Sequence, residues 1–117
     1  MDKGDEVKIA RIYLSSTDKF RGLSLFEEIV FLAKSSGVAG ASVFRGIMGY
    51  GSSSKIHSQK LFEINDKVPV TIEIIDSLYK IEEFLSSIEP IIEESEKGCL
   101  ITLTDCRILS IKRGKSK

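Results

Sequence analysis

Two runs of this chain place apolar residues at helical spacing, and strand-like runs stand before and after each of them. In the first, Leu25, Ile29 and Leu32 recur at three and four residues with Phe26, Val30 and Ala33 beside them. In the second, Leu78, Ile81, Phe84, Leu85 and Ile88 do the same, with Glu82, Glu83 and Ser86 between them. Each pattern puts its apolar groups on one broad helical face. Ser24 with Glu27 has capping-box spacing at the head of the first run, and Gly37 is placed to stop it. Asp76 or Ser77 caps the second, which Pro90 is expected to end or bend.

The flanking segments are rich in β-branched and aromatic residues and short enough for strands. They run from Val7 to Leu14, from Ala41 to Tyr50, from Val68 to Ile75 and from Cys99 to Ile111, the last with Thr104-Asp105 as a bend between two halves. Pro69 fits only near the start of its strand or on an edge. Ser15 to Gly22 reads as a polar turn, and Asn65-Asp66 as another. The order is therefore βαββαβ: an α+β fold with a four-stranded antiparallel sheet and two helices on one face.

Two helices cover only one face of such a sheet, yet the strands are apolar at most positions. Val70, Ile72 and Ile74 suit the covered face, which leaves Thr71, Glu73 and Ile75 on the other, and in the second strand one face shows Phe44 and Met48. Arg45 alternates with Phe44 and so points to the opposite sheet face, where a cross-strand pair with Glu73 is the expectation. Apolar groups on an open face call for a partner subunit, because burial stabilises by about 25 cal/mol per Å². Self-association is the expectation.

With 117 residues the chain holds one core, so residues 1–117 are read as a single domain with flexible ends at 1–5 and 114–117. Seventeen basic residues balance seventeen acidic ones, so net charge does not call for a nucleic-acid partner. Cys99 and Cys106 lack zinc or CxxC spacing and read as reduced thiols. No apolar run approaches the roughly 18 residues of a membrane span, and the expectation is a cytoplasmic protein.

The chemistry concentrates between Arg45 and Gln59. Gly46, Gly49 and Gly51 allow positive φ or close approach to a ligand, and serines such as Ser52 follow beside Lys55 and His57, a composition suited to an anion. A catalytic reading has little support. There is no Ser-His-Asp order with a supporting motif, no metal cluster and no GxxxxGK[ST] loop, and the acidic run Glu93, Glu94, Glu96 reads as a solvated helix end. The chain is not expected to be an enzyme.

Several stretches together resemble the PII-like signalling family, and most closely its branch catalogued as a domain of unknown function. They are Arg11-Ile12-Tyr13, Val38-Ala39-Gly40-Ala41, Arg45-Gly46-Ile47-Met48-Gly49, Ile56-His57 and the run from Val70 to Asp76. The resemblance implies a ferredoxin-like homotrimer with sheets facing inward and an adenine nucleotide at clefts between subunits. Gly49-Tyr50-Gly51 is similar to the motif that opens the signalling loop of PII proteins. Lys97-Gly98 resembles their phosphate-cradling turn, and Lys112-Arg113 their basic strand end. Departures are a shorter loop, Cys99 where a lysine stands in the family, and a second family lysine that falls near Pro69.

The ligand candidates are thus Gly49, Tyr50, Gly51, Ser52, Lys55, His57, Lys97, Gly98, Lys112 and Arg113. The function expected is a regulator that senses a small anion and signals through the loop after the second strand, with no required cofactor. The alternative is a protein-interaction module without a small ligand. The resemblance implies a membrane transporter or channel as its docking partner, since members of the branch are often linked to small fluoride exporters.

Overall fold

In the computed structural model, residues 1–51, 56–58 and 67–115 are described, without the side chains of His57 and Ser58. The main elements are β1 (Glu6–Ser15), α1 (Leu25–Ser35), β2 (Ala41–Arg45), β3 (Pro69–Asp76), α2 (Leu78–Ser95) and β4 (Leu100–Arg107). One antiparallel sheet in the order β2-β3-β1-β4 carries both helices on one face. That is the ferredoxin-like arrangement expected.

Burial in β3 alternates strictly, with Val70, Ile72 and Ile74 buried and Thr71, Glu73 and Ile75 on the opposite side. Ile12 in β1 stands opposite Ile72, so Ala10, Ile12 and Leu14 share the buried face. Leu25, Ile29 and Ala33 of α1 meet them there, as do Ile81, Phe84 and Ile88 of α2. Each large side chain so buried contributes about 1.5–3 kcal/mol, which makes this layer the main source of stability. Leu78, expected on the same helix face, is exposed at the first turn.

Several local expectations change. The capping box is not formed: Ser24 makes no side-chain cap, and its Oγ is buried without a partner among the described residues. The N–H of Leu25 instead donates to the Asp18 carbonyl at 2.9 Å, because the chain arrives from a tight hairpin that turns Ser24 inward. That hairpin pairs Lys19 with Ser24 and Phe20 with Leu23, and its two turn residues have positive φ (Arg21 50°, Gly22 80°). Such a turn suits strand twist and explains why Arg-Gly stands there. Arg21 also forks onto Glu94 (2.8 and 3.0 Å), tying the hairpin to α2.

Pro90 does not end α2, which continues to Ser95. Pro90 is exposed, so the carbonyl that loses its intrahelical donor lies on the water side while Ile91 and Ile92 still pack on the core. β4 has no break at Thr104-Asp105. Thr104 pairs with Ile9, and Asp105 pairs with Lys8, whose Nζ lies 2.7 Å from its carboxylate. The strand nevertheless stops at Arg107, short of Ile111. β2 likewise stops at Arg45, and Met48–Gly49 pairs separately with His57–Ser58. Glu73 takes Arg11, directly opposite in β1 (3.1 Å), while Arg45 stands opposite Val70; the Arg45–Glu73 pairing is not made.

Asp76 is the buried carboxylate that joins the layers. It accepts from the Ala39 N–H (2.8 Å) and the Ser77 N–H (2.7 Å), while Ser77 caps α2 through Lys80. Asp76→Ala strands both donors and is expected to cost about 2–4 kcal/mol in urea unfolding. Ser24→Ala, which removes an unpaired buried hydroxyl, is expected to leave stability unchanged or raise it by about 1 kcal/mol. A loss above that size would show the hydroxyl to be bonded.

Candidate functional site

The ends of the two central strands and the turn into the edge strand enclose a cavity of about 670 Å³. That is the size range of small-molecule sites. Tyr13 to Ser15 close one side. Gly49, Tyr50 and Gly51 form a second wall, Lys67 to Pro69 the floor between them, and Glu96 to Leu100 the third wall.

Each wall has a local cause. Beyond β2 the Gly46 N–H donates to the Pro69 carbonyl at 2.8 Å, which holds the chain against the start of β3. A Cβ on Gly49 would stand 2.8 Å from Pro69 Cγ, closer than packed carbons approach. The glycines at 46 and 49 thus serve a close approach to Pro69, with neither at positive φ, and Gly51 faces open space. Pro69 is the first residue of β3, where its missing N–H costs no ladder bond.

Two bonds fasten the loop after β1 to the base of the cavity, Ser16 N–H to the Val68 carbonyl (2.8 Å) and Val68 N–H to Ser16 Oγ (3.0 Å). Asp18 is buried in the same wall and accepts from the Ser15 N–H at 3.1 Å. At the third wall α2 ends on Glu96 in the left-handed region (φ 58°), a conformation unusual for a residue with Cβ. This reversal turns Lys97 and Gly98 toward the cavity. Cys99 follows them, half buried, and burial with the charge of Asp18 pushes its thiol above the ordinary value.

Of the sequence candidates, Gly49, Tyr50, Gly51, Lys97 and Gly98 come together here. Lys112 and Arg113 do not. They follow β4 at the far end of the sheet, where Arg113 donates to the Met1 carbonyl at 2.6 Å and Ile108 bonds Asp5. His57 stands opposite Gly49 through its backbone, its side chain lying outside the described residues, as do Ser52 and Lys55. Lys67, Asp18 and Tyr13 are additions. Lys67 is not among the sequence candidates; the signal that could have found it is its place two residues before Pro69, near which the second family lysine falls. Asp18 carried no signal beyond a turn.

The walls carry two ammonium groups, Lys67 and Lys97, and two carboxylates, Asp18 and Glu96. Backbone near Gly49–Gly51 and Lys97–Gly98 with two cations can hold an anionic group, and the apolar walls of Tyr13, Tyr50, Pro69 and Leu100 can hold a flat ring. Two outcomes follow. Gly49→Ala is expected to destabilise by about 1–3 kcal/mol, read in denaturant. In a Cys106→Ser background, iodoacetamide at about pH 8 is expected to modify Cys99 more slowly than the same thiol in denaturant, since fewer thiolates form in the fold; equal rates would contradict the burial assigned to it.

Comparison with known proteins identifies the family and the fold. Residues 7–108 match the DUF190 family, described as an uncharacterised ACR group. A UPF0166 protein of Aquifex aeolicus is 37% identical over 102 residues, 87% of this chain and 92% of the relative. One from Methanocaldococcus jannaschii is 35% identical over 104 residues, 88% and 92% of the two chains. Among solved structures, CPII of Thiomonas intermedia K12, bound to ADP and bicarbonate, superposes with a TM-score of 0.68 at 18% identity, covering 94% of this chain and 95% of that one. The chain therefore belongs to the DUF190 family and has a PII-like fold.

Proposed function

We propose that this chain, as a single PII-like domain, is a cytoplasmic regulatory protein that assembles as a homotrimer and binds a small anionic ligand, an adenine nucleotide first among candidates. The observation that carries this is the meeting of Gly49–Tyr50–Gly51 with Lys97–Gly98 around one cavity, with Lys67 beside them. The ADP held by the similarly folded CPII supports the choice of nucleotide.

The open sheet face supports self-association. Phe44, Thr71, Tyr13 and Leu100 form one row across it by strand register, and Phe44 and Leu100 are each more than half exposed. Ile75 and Ile9 pair in a second apolar row, with Arg11–Glu73 between the two. In the proposed assembly Lys112 and Arg113 of a neighbouring copy approach the cavity and tip its balanced charge toward anions. Ligand binding is then coupled to the loop after β2 through Gly49–Gly51, which belong to both cavity and loop. The role is binding and signalling, with no catalytic step.

Calorimetry with ATP, ADP and AMP on the parent protein, Lys97→Ala and Lys67→Ala tests this. Heat is expected for at least one nucleotide, with a loss of roughly 1–3 kcal/mol when either cation is removed. No heat from any of the three at millimolar concentration would overturn the ligand and favour the interaction-module reading. Light scattering is expected to give about three times the 13.0 kDa chain mass.

A further inference from the structure

A second hollow, of about 380 Å³, runs between α2 and the edge strand β4. Its floor is apolar, with Leu85, Ile92, Cys99 and Ile101, and its wall is acidic, with Glu82, Glu89 and Glu93. None of the ion pairs among the described residues involves these three carboxylates. The acidic end of α2 also has no basic residue in its last turn, so its charges oppose the helix dipole. This is an apolar groove beside a free strand edge that lacks cations.

The complement is on the same chain. After β4 the sequence reads Leu109-Ser110-Ile111-Lys112-Arg113-Gly114-Lys115-Ser116-Lys117, two apolar residues at strand spacing and then four cations. Leu109 is 79% exposed in the single chain, so it has little packing there to lose. Its own groove lies beside the opposite end of β4, where Cys99 leads into the strand, whereas the tail departs beyond Arg107 and is held near the N-terminus by Ile108 and Arg113. A second copy can meet the groove with its tail while Ile108 stays bonded to Asp5 and Arg113 to Met1 and Asp2, which leaves Lys112, Lys115 and Lys117 as the cations free to dock.

We infer that the tail from Leu109 onward in one copy docks in the α2–β4 groove of a second, Leu109 and Ile111 over Ile101 and Leu85, its cations against Glu82, Glu89 and Glu93. Such a head-to-tail contact closes into a ring when the rotation permits. Cys99 lines both this groove and the ligand cavity, so a tail in the groove carries its cations to the cavity mouth. The inference rests on the self-association proposed above and is independent of the nucleotide.

Cys99 makes the test direct. In Leu109→Cys/Cys106→Ser, a short bismaleimide at about pH 8 is expected to join residue 109 of one copy to Cys99 of another, giving covalent dimers and trimers on a denaturing gel. The product is expected to vanish in the added Cys99→Ser variant and to fall about tenfold with Glu93→Lys, as like charges now face each other. A linked species of monomer mass, or none, overturns the docking. If light scattering of the same sample gives a trimer without cross-linking, only the docking fails. A monomer mass removes the self-association as well.

Discussion

Everything at the site depends on how closely the chain beyond β2 can lie against Pro69. Gly46 bonds the Pro69 carbonyl, and the absence of a side chain on Gly49 lets the backbone sit against the proline ring. That approach puts Tyr50 and Gly51 within reach of the Lys97–Gly98 turn. Because Pro69 opens β3, whose Val70, Ile72 and Ile74 are sealed under the helices, the proline cannot retreat without moving the core. Among the described residues the cavity is thus shaped by packing, with no ion pair between its lining side chains.

A second layer of constraint comes from buried polar groups placed at element ends. Asp76 ties the start of α2 to the segment entering β2, and Asp18 ties the hairpin after β1 to the wall of the cavity. Asp76 accepts from two backbone N–H groups and Asp18 from one, donors that would otherwise be stranded. Charge and packing therefore act in sequence: the apolar layer sets the sheet, and the carboxylates set where its connections turn.

The fold was legible because period-2 burial in β3 and helical spacing in α1 and α2 both point to one covered face. Ile72 and Ile29 could be placed from sequence alone. What failed were local rules overridden by surroundings. Ser24 with Glu27 has capping spacing, but the hairpin through Arg21 and Gly22 fixes the approach to α1 first. Pro90 breaks helices whose freed carbonyl is buried, and here the position faces water. Glu73 on a neighbouring strand suits Arg45 by charge, yet register gives it Arg11. At the site, Gly49 and Lys97 were readable as a pair of motifs, while Lys67 and Asp18 needed the register to bring them in. Lys112 and Arg113 could not be placed in a one-chain cavity, since β4 carries them away from it.

The central claim is that one cavity, walled by Gly49–Gly51 and Glu96–Leu100, receives an anionic ligand. Amide hydrogen exchange of the protein with and without saturating ADP, followed by mass spectrometry, tests it at the level of segments. The account predicts added protection in peptides covering 49–51 and 96–100, with 79–88 in α2 unchanged. Added protection confined to other segments, or none at all, would contradict it.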